Sequence, residues 1–252
     1  MEKDKKKLAE DGVWKDFTDA IPFLIPQLSI DCVIFGFHND ELKVLLSKFH
    51  NMEMWALHGG FILQGEDIDD AATRILGEHT GLTGIYLQQF QVFGKANRQT
   101  FKYMKSLFEA LEVTPPVLAF FENRFISIGY YALVDFSKVN PISAAFFEES
   151  AWFDISELPE LAFDHREIIQ KALEQLRHAL DYQLVGFNLM PETFTMNELQ
   201  CLYETILGEK FLRANFQRKM LEMNILERLD KKQTGKGHKS PYLYRFVLSL
   251  LN

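Results

Sequence analysis

The amino-acid sequence predicts an α+β protein in two parts, a strand-rich body followed by a small helical unit that ends in a hairpin. Three observations predict it. Runs rich in β-branched and aromatic residues alternate with helical stripes between residues 28 and 182. The pattern breaks at Phe187 to Pro191, and two helical stripes and a hairpin pattern follow. Finally, the net charge is −8, yet residues 210–245 hold ten Lys or Arg against three acids, so they carry +7 and the rest −15.

These observations divide the chain into an N-terminal extension (1–27), a body (28–186) and a C-terminal unit (187–252). With 252 residues and 47% hydrophobic content, the chain can bury a sizeable core. No apolar run approaches the roughly 18 to 20 residues of a membrane span, and the charged start has no apolar segment behind it. We therefore expect a cytoplasmic protein, in which Cys32 and Cys201 are reduced core thiols.

The extension and the first strands come first. The extension turns apolar between Pro22 and Pro26, so we expect its far end to pack on the body. Ile30 to Phe37 and Leu42 to Leu46 are strand-like runs on either side of the turn dipeptide Asn39-Asp40. This pattern predicts a β-hairpin.

A loop followed by a helix is predicted between Gly59 and Leu82, GGFILQGEDIDDAATRILGEHTGL. The apolar stripe of the helix is Ile68, Ala71, Ala72, Ile75, Leu76 and His79, and Gly81 ends it. Glu78 lies four residues after Arg74, so the two side chains can pair on one face. We interpret His79 as a packed histidine; the alternative is a ligand for a softer metal.

Three further strands and a long helix complete the body. The strand-like runs are Ile85 to Phe93, Phe125 to Val134 and Glu148 to Phe153. Asp164 with Glu167 has the spacing of a capping box, and an apolar stripe extends that helix to about Tyr182.

Two segments of the body remain open to alternative interpretations. In VFGKANR, residues 92–98, the polar groups of Lys95, Asn97 and Arg98 suit an anion or a sugar hydroxyl, and they equally suit a solvated loop. Residues 99–124 predict a short amphipathic helix that ends before Pro115-Pro116. The apolar residues Leu118 to Phe121 then form either a lid over a cleft or a dimer contact.

The C-terminal unit has the pattern of a winged helix. Thr195 with Glu198 is a capping box, and Gly208 ends the first helix. The second helix follows at once, and its wheel places these residues inward: Leu212, Phe216, Lys219, Met220 and Met223. Two strand-like runs, Ile225 to Asp230 and Tyr242 to Val247, flank a basic tip. In this arrangement the second helix enters the major groove.

We therefore predict that the unit binds double-stranded DNA. The predicted contacts are Arg213, Asn215, Gln217, Arg218, Lys219, Lys231, Lys232, Lys236, Lys239 and Tyr244. Wing lysines would meet phosphates, whereas Arg213, Gln217 or Arg218 would reach base edges. The alternatives are a solvated charged loop and a winged helix that docks another protein.

The segment from Gly60 to Leu82 resembles the Nudix box. The residues at the spacing of the box are Gly60, Glu66, Arg74, Glu78, Gly81 and Leu82. Two of its three late glutamates are replaced by Ile75 and His79, and His58 stands where the family usually has proline. The resemblance implies a Nudix-fold mixed sheet with flanking helices. Because such glutamates hold Mg²⁺ against a diphosphate, we expect this domain to bind a ligand without hydrolysing it, with no metal and no cofactor. The alternative is a hydrolase that uses Glu66 and Glu78.

With FTMNELQCLYETILGEKFLRANFQRKMLEMNILERL and SPYLYRF, the chain resembles the Nudix-related bacterial transcription regulators from about Leu28 to Phe246. The resemblance implies a homodimer that binds a palindromic operator and responds to a small-molecule effector. Some members sense ADP-ribose, but DCVIFGF, GEDIDDAATRIL and VFGK are closer to the arabinose-responsive members, so we expect a sugar. The predicted effector contacts are His58, Phe61, Arg74, Lys95, Asn97, Arg98 and Tyr131.

Overall fold

A seven-stranded mixed sheet forms the body of the molecule. Its strands are β1 (Leu24–His38), β2 (Glu41–Phe49), β3 (Trp55–Ala56), β4 (His58–Leu63), β5 (Tyr86–Phe93), β6 (Ile126–Val134) and β7 (Phe147–Asp154). β1 pairs in parallel with β6, and the other pairings are antiparallel. The structure is a computed structural model that describes residues 13–49, 53–98, 105, 108, 113–139, 147–182, 188–232 and 240–247.

Within the described ranges, the sheet is accompanied by the helices α1 (Val13–Ala20), α2 (Ile68–Thr80), α3 (Pro115–Glu122) and α4 (His165–Tyr182). β1 alternates its side chains between two cores, since Cys32 and Ile34 pack with α2, whereas Val33 and Phe35 pack with α4. The predicted hairpin joins β1 and β2. Its turn residues, Asn39 and Asp40, both have positive φ, as a type I′ turn requires.

The described part of the C-terminal unit consists of two helices and a three-stranded sheet. Helices α5 (Met196–Leu207) and α6 (Arg213–Glu222) accompany β8 (Phe194–Thr195), β9 (Leu226–Lys231) and β10 (Tyr242–Phe246). Both hydrogen bonds of the predicted capping box are present at the start of α5, and Gly208 ends the helix at φ 73°. The predicted fold class, a Nudix-type mixed sheet followed by a winged helix, is confirmed.

The unit packs on the body through α4 and the β1–β2 turn. A single apolar cluster runs from the sheet through α4 into α5. At its edge, the Arg177 guanidinium Nε donates to the Ile206 carbonyl at 2.7 Å, near the end of α5. The Thr205 hydroxyl donates to the Asp40 carbonyl at 3.0 Å. Helix α5 is therefore held by α4 on one side and by the hairpin turn on the other.

One helix prediction needs correction, and another lies largely outside the described residues. Pro115-Pro116 begins a further helix, α3, because the first helical positions have N–H groups without an intrahelical partner and tolerate proline there. The helix predicted over residues 101–111 lies outside the described residues except for Lys105 and Phe108. The capping box predicted at Asp164 and Glu167 is absent, because these carboxylates accept instead from Arg98 and Lys95.

Two burial predictions also differ from the structure. Ile68 is 41% exposed at the first position of α2, where the helix has not yet reached the sheet. Cys32 is buried as predicted, but Cys201 is partly exposed. Over the ranges that the structure describes, none of the helices combines the length and apolar character needed to span a bilayer.

Candidate functional site

A cavity of about 420 Å³ is bounded by α1, α2, α3, β4 and the start of α4. Its aromatic lining consists of Phe17, Phe49, Phe61, Phe108, Phe121, Phe125, Phe147 and Phe163. Helices α1 and α3 cover it together. The Phe17 ring lies 5.6 Å from the rings of Phe61, Phe120 and Phe121, and the Thr18 and Thr114 hydroxyls are 3.0 Å apart. The apolar segment predicted to be a lid or a dimer contact lies in α3, beside the cavity.

One end of the cavity is polar and is organised around Arg98. Its Nη2 lies 3.1 Å from Asp31 Oδ2, and its Nε lies 2.8 Å from Asp164 Oδ2. The Leu57 N–H donates to His165 Nδ1 at 2.9 Å, so the proton of the neutral ring is on Nε2, which lies 3.6 Å from Asp31 Oδ1. The network therefore joins β1, the loop after β5 and the start of α4.

Asp31 is held in its ionised form. Burial by itself would raise the pKa of Asp31, but the hydrogen bond to His165, the positive charge of Arg98 and the hydrogen bond from the Ser127 hydroxyl lower it to about 2. Arg98, Asp31 and His165 all line the cavity. Their charges are paired before a ligand arrives, so this end is a preorganised polar surface.

The two carboxylates of the Nudix box are engaged by Arg74. Its Nε and Nη2 each lie 2.8 Å from an oxygen of Glu66, and its Nη1 lies 3.2 Å from Glu78 Oε1. The hydrogen bond from Arg74 lowers the pKa of Glu66. Across the described ranges, no three His, Cys, Asp or Glu side chains form a group able to hold a metal. These residues do not fit the magnesium ion that the family implies.

His79 and His58 lie side by side between β4 and α2. Their ring centroids are 4.7 Å apart at 77°, and both side chains are buried. His79 lines the cavity, and its Nε2 lies 3.4 Å from the Gly59 carbonyl oxygen. His58 stands behind it, with its Nε2 2.9 Å from the Ser47 hydroxyl. Burial lowers the pKa of both rings, so they are neutral near pH 7.

The structure brings three of the seven predicted effector contacts to the cavity, namely Phe61, Arg74 and Arg98. The other four are His58, Lys95, Asn97 and Tyr131. Lys95 and Asn97 are exposed, and Lys95 pairs with Glu167 at 2.7 Å.

Tyr131 and His58 are buried away from the cavity. Tyr131 faces the α4 core, where its ring lies about 6 Å from those of Phe35, Tyr86 and Phe90, because alternate residues of β6 face opposite sides of the sheet. The sequence interpretation missed Asp31, His165 and most of the phenylalanines.

Helix α6 presents a polar surface that suits nucleic acid. Arg213, Asn215, Arg218 and Lys219 are exposed, and Gln217 is half-buried. The inward assignment of Lys219 was wrong, because the buried stripe of α6 is only Phe216 and Met220. Leu212 and Met223, also assigned inward, are 73% and 40% exposed because they lie at the two ends of the helix.

The wing adds basic side chains beside α6. Lys231 and Lys232 are exposed, and Lys232 pairs with Glu198 at 2.9 Å. Lys236 and Lys239 lie outside the described residues. Tyr244, a predicted DNA contact, is buried opposite Phe194, which removes its ring from the surface.

Arg228 is a basic wing residue that the sequence interpretation missed. It is exposed, and its guanidinium lies 4.4 Å from the centroid of the Tyr242 ring.

Comparisons with known proteins agree with this architecture. Residues 26–172 match the NUDIX domain model, and residues 186–246 match the NrtR DNA-binding winged helix domain. A Nudix body joined to a basic winged helix defines a DNA-binding transcriptional regulator with an effector domain. The chain is 30% identical over 230 residues to the ADPR-responsive transcriptional repressor NtrR of Acinetobacter baylyi, covering 88% of this chain and 83% of the relative. It belongs to the NrtR family of Nudix-related transcriptional regulators.

Solved structures show the same similarity. Shewanella oneidensis NrtR is 27% identical with a TM-score of 0.68, covering 87% of this chain and 94% of that one. The same protein complexed with a 27mer DNA is 26% identical with a TM-score of 0.69, covering 87% and 93%. The expectation of an arabinose-type sugar effector is not supported, since the curated relative responds to ADPR.

Proposed function

We propose that the protein is an ADP-ribose-responsive transcriptional regulator. In this proposal residues 28–186 bind the effector without hydrolysing it, residues 187–252 bind DNA, and α1 of the extension (1–27) contributes part of the cavity's cover. The observation that carries it is the aromatic cavity with a polar end, connected through α4 to the winged helix. The ADPR response of the Acinetobacter baylyi relative supports the same effector.

The cavity lining favours a nucleotide over a free pentose. Aromatic faces suit a planar base, whereas a pentose has hydroxyls on every side that need polar partners when buried. About 420 Å³ falls within the roughly 300 to 1,000 Å³ of small-molecule sites. Adenine would lie among the phenylalanines, and the ribose hydroxyls would meet the polar groups around Arg98.

The Nudix box supports binding without turnover. Hydrolysis of a diphosphate by this family needs carboxylates that are free to hold a metal, but Glu66 and Glu78 are both engaged by Arg74. Ile75 adds an apolar side chain where the box has a glutamate, and it is buried. The helix that carries most of the Nudix box, α2, therefore forms a wall of the cavity.

Helix α4 supplies a physical connection between effector and DNA. Its first residue, His165, lines the cavity, and Arg177, twelve positions on and about 18 Å along the axis, holds the end of α5. An effector that prefers one placement of α4 would change DNA affinity by its differential affinity for the two placements. In a homodimer on a palindromic operator, such a change alters the match to half-sites about 34 to 36 Å apart.

The test uses the full chain. Duplexes are first selected from a random-sequence pool, and affinity for the best duplex is then measured by fluorescence anisotropy with ADP-ribose, AMP or arabinose present. We expect ADP-ribose alone to change DNA affinity by at least about 5-fold and to raise the melting temperature. No response to ADP-ribose, or a response to arabinose alone, would overturn the proposal.

Two controls separate the rival functions. AMP release from ADP-ribose with Mg²⁺, if abolished by Glu78→Gln, would identify a hydrolase instead. A steep decrease of duplex affinity with salt indicates phosphate contacts, whereas a winged helix that docks another protein would show little DNA affinity at any salt concentration.

A further inference from the structure

We propose that Tyr242 is a positioning residue for DNA binding: its ring holds Arg228 and Lys231 together, so that the two cations bind the phosphate backbone as one unit. These three residues form the wing platform. Arg228 Cζ lies 4.4 Å from the centroid of the Tyr242 ring, and Lys231 Nζ lies 5.4 Å from it. Both distances are within the roughly 6 Å of a cation–π contact. The inference rests on the DNA binding of the proposed function and is independent of the effector.

An irregularity in the wing explains how two residues three positions apart reach one ring. Side chains of a regular strand alternate, so Arg228 and Lys231 would face opposite sides of β9. Tyr242 lies opposite Lys231, but two steps further along β10 the partner is Arg228, three steps back along β9. The extra residue of β9 forms a β-bulge, which turns both cations to the same side. The burial pattern agrees, since Leu226 and Leu229 are half-buried, whereas the other residues of β9 are exposed.

The cations of the wing platform differ from their neighbours in having no acidic partner. Lys232 pairs with Glu198 at 2.9 Å, and Arg245 pairs with Glu227 at 2.7 Å. Among the wing residues that the structure describes, neither platform cation has a carboxylate within ion-pair distance, and both are exposed. Two like charges beside one ring repel each other, and an anion bound between them relieves this repulsion. The platform is therefore suited to an anionic partner.

DNA phosphates are the anions that fit this platform. Successive phosphates of one strand advance by about 3.4 Å along the duplex axis. Because both cations lie within 5.4 Å of one ring centroid, they can reach the same phosphate or two successive ones. Contacts to phosphates position a protein on the duplex without reading bases. The platform therefore fixes the wing on the backbone, while the exposed side chains of α6 face the base edges.

Substitution of the cations tests whether both bind phosphates. The full chain is titrated with the selected duplex by fluorescence anisotropy over a series of KCl concentrations. Arg228→Met and Lys231→Met should each reduce the slope of log affinity against log salt by about 0.9 and weaken binding about 5-fold at about 0.15 M salt. Arg245→Met is the matched control with the same change of net charge. It should keep the slope, because Glu227 already neutralises that cation.

Substitution of the ring separates positioning from direct contact. Tyr242→Phe keeps the face of the ring and should bind the duplex within about 2-fold of the original chain. Tyr242→Leu removes the ring and should bind about 3-fold more weakly. In the Tyr242→Leu variant, Arg228→Met should cost less affinity than it costs in the original chain, because the two changes disrupt the same unit. Melting temperatures without DNA show whether each variant is folded.

A second arm changes the DNA and leaves the protein intact. Single phosphates of the duplex are replaced in turn by neutral methylphosphonates. A replacement at a phosphate that the platform binds should weaken binding of the original chain about 5-fold, and it should cost little in the variant that lacks the corresponding cation. In each half-site, the phosphates assigned in this way to Arg228 and to Lys231 should be the same one or neighbours on one strand.

The outcomes distinguish this inference from the proposed function. An unchanged salt slope in either Arg228→Met or Lys231→Met overturns the inference. A folded Tyr242→Leu that binds as tightly as the original chain overturns it too, as does an equal loss in Tyr242→Phe, since the hydroxyl would then be the contact. If Tyr242→Leu does not fold, methylphosphonates that assign the two cations to distant phosphates refute the shared unit. If the original chain binds no duplex at any salt concentration, the proposed function fails first.

Discussion

Replacing Arg98 with methionine should strongly destabilise the body. The Arg98 side chain is 7% exposed and faces Asp31 and Asp164, whose side chains are 11% and 21% exposed. Methionine fills much of the same space but leaves two carboxylates without their cation. Removing one partner of a buried ion pair costs about 3 to 5 kcal/mol, whereas the loss of an exposed pair costs under about 1 kcal/mol.

Urea denaturation of the full chain measures this loss, and the variants Asp31→Asn and Arg98→Met/Asp31→Asn complete a double-mutant cycle. We expect the double variant to recover part of the stability that Arg98→Met loses, because an asparagine is cheaper to bury without a cation. A loss below about 1 kcal/mol in Arg98→Met, or strict additivity in the cycle, would refute the account of Arg98 as a buried ion-pair partner.

The pH dependence gives an independent measurement on Asp31. Its folded pKa of about 2 lies below the ordinary value of 3.8, so its contribution is complete above about pH 4 and is lost as the pH falls towards 2. The difference corresponds to roughly 2 kcal/mol. Asp31→Asn should therefore flatten the decrease of unfolding free energy between pH 4 and 2, and an unchanged slope would contradict the assigned pKa.

Three further predictions follow from single contacts. Gly59→Ala should lower the unfolding free energy by about 1 to 3 kcal/mol, since its Cβ would lie 2.7 Å from the Ile30 carbonyl oxygen, whereas Gly65→Ala, with open space around its Cβ, should change little in the same urea titration. Arg177→Met should keep ADP-ribose affinity in calorimetry but weaken the effect of ADP-ribose on duplex affinity, since it removes the bond to the Ile206 carbonyl. Arg218→Ala should reduce the slope of log affinity against log salt by about 1, while Tyr244→Phe, at a buried ring, should leave that slope unchanged.

Local patterns predicted the parts of the fold that depend on neighbouring residues. The capping box of Thr195 and Glu198 forms with both hydrogen bonds, because its partners are three residues apart. The Asn39-Asp40 turn also forms as predicted, because its conformation depends on adjacent residues. The spacing of Arg74 and Glu78 on one helix likewise predicted their ion pair. Such contacts require no knowledge of the rest of the chain.

The polar end of the cavity depended on contacts that sequence spacing does not reveal. Arg98 forms ion pairs with Asp31 and Asp164, which lie 67 and 66 positions away from it in the sequence. A signal existed, since Asp31 is a single acid inside the apolar run of β1, and a buried carboxylate needs a partner. Alternation along β6 limited Tyr130 and Tyr131 to opposite faces, but it did not indicate that neither tyrosine lines the cavity.

The cover that α1 forms over the cavity matters for truncated forms of this protein. A fragment that starts at residue 26, as the match to the Nudix domain model would suggest, keeps the large sheet except for the first two residues of β1. It nevertheless discards Phe17 and Ala20, and water then reaches rings that the intact chain shields. Such a trimmed fragment should fold and still bind nucleotides poorly, so a negative titration on it would say little about the whole regulator.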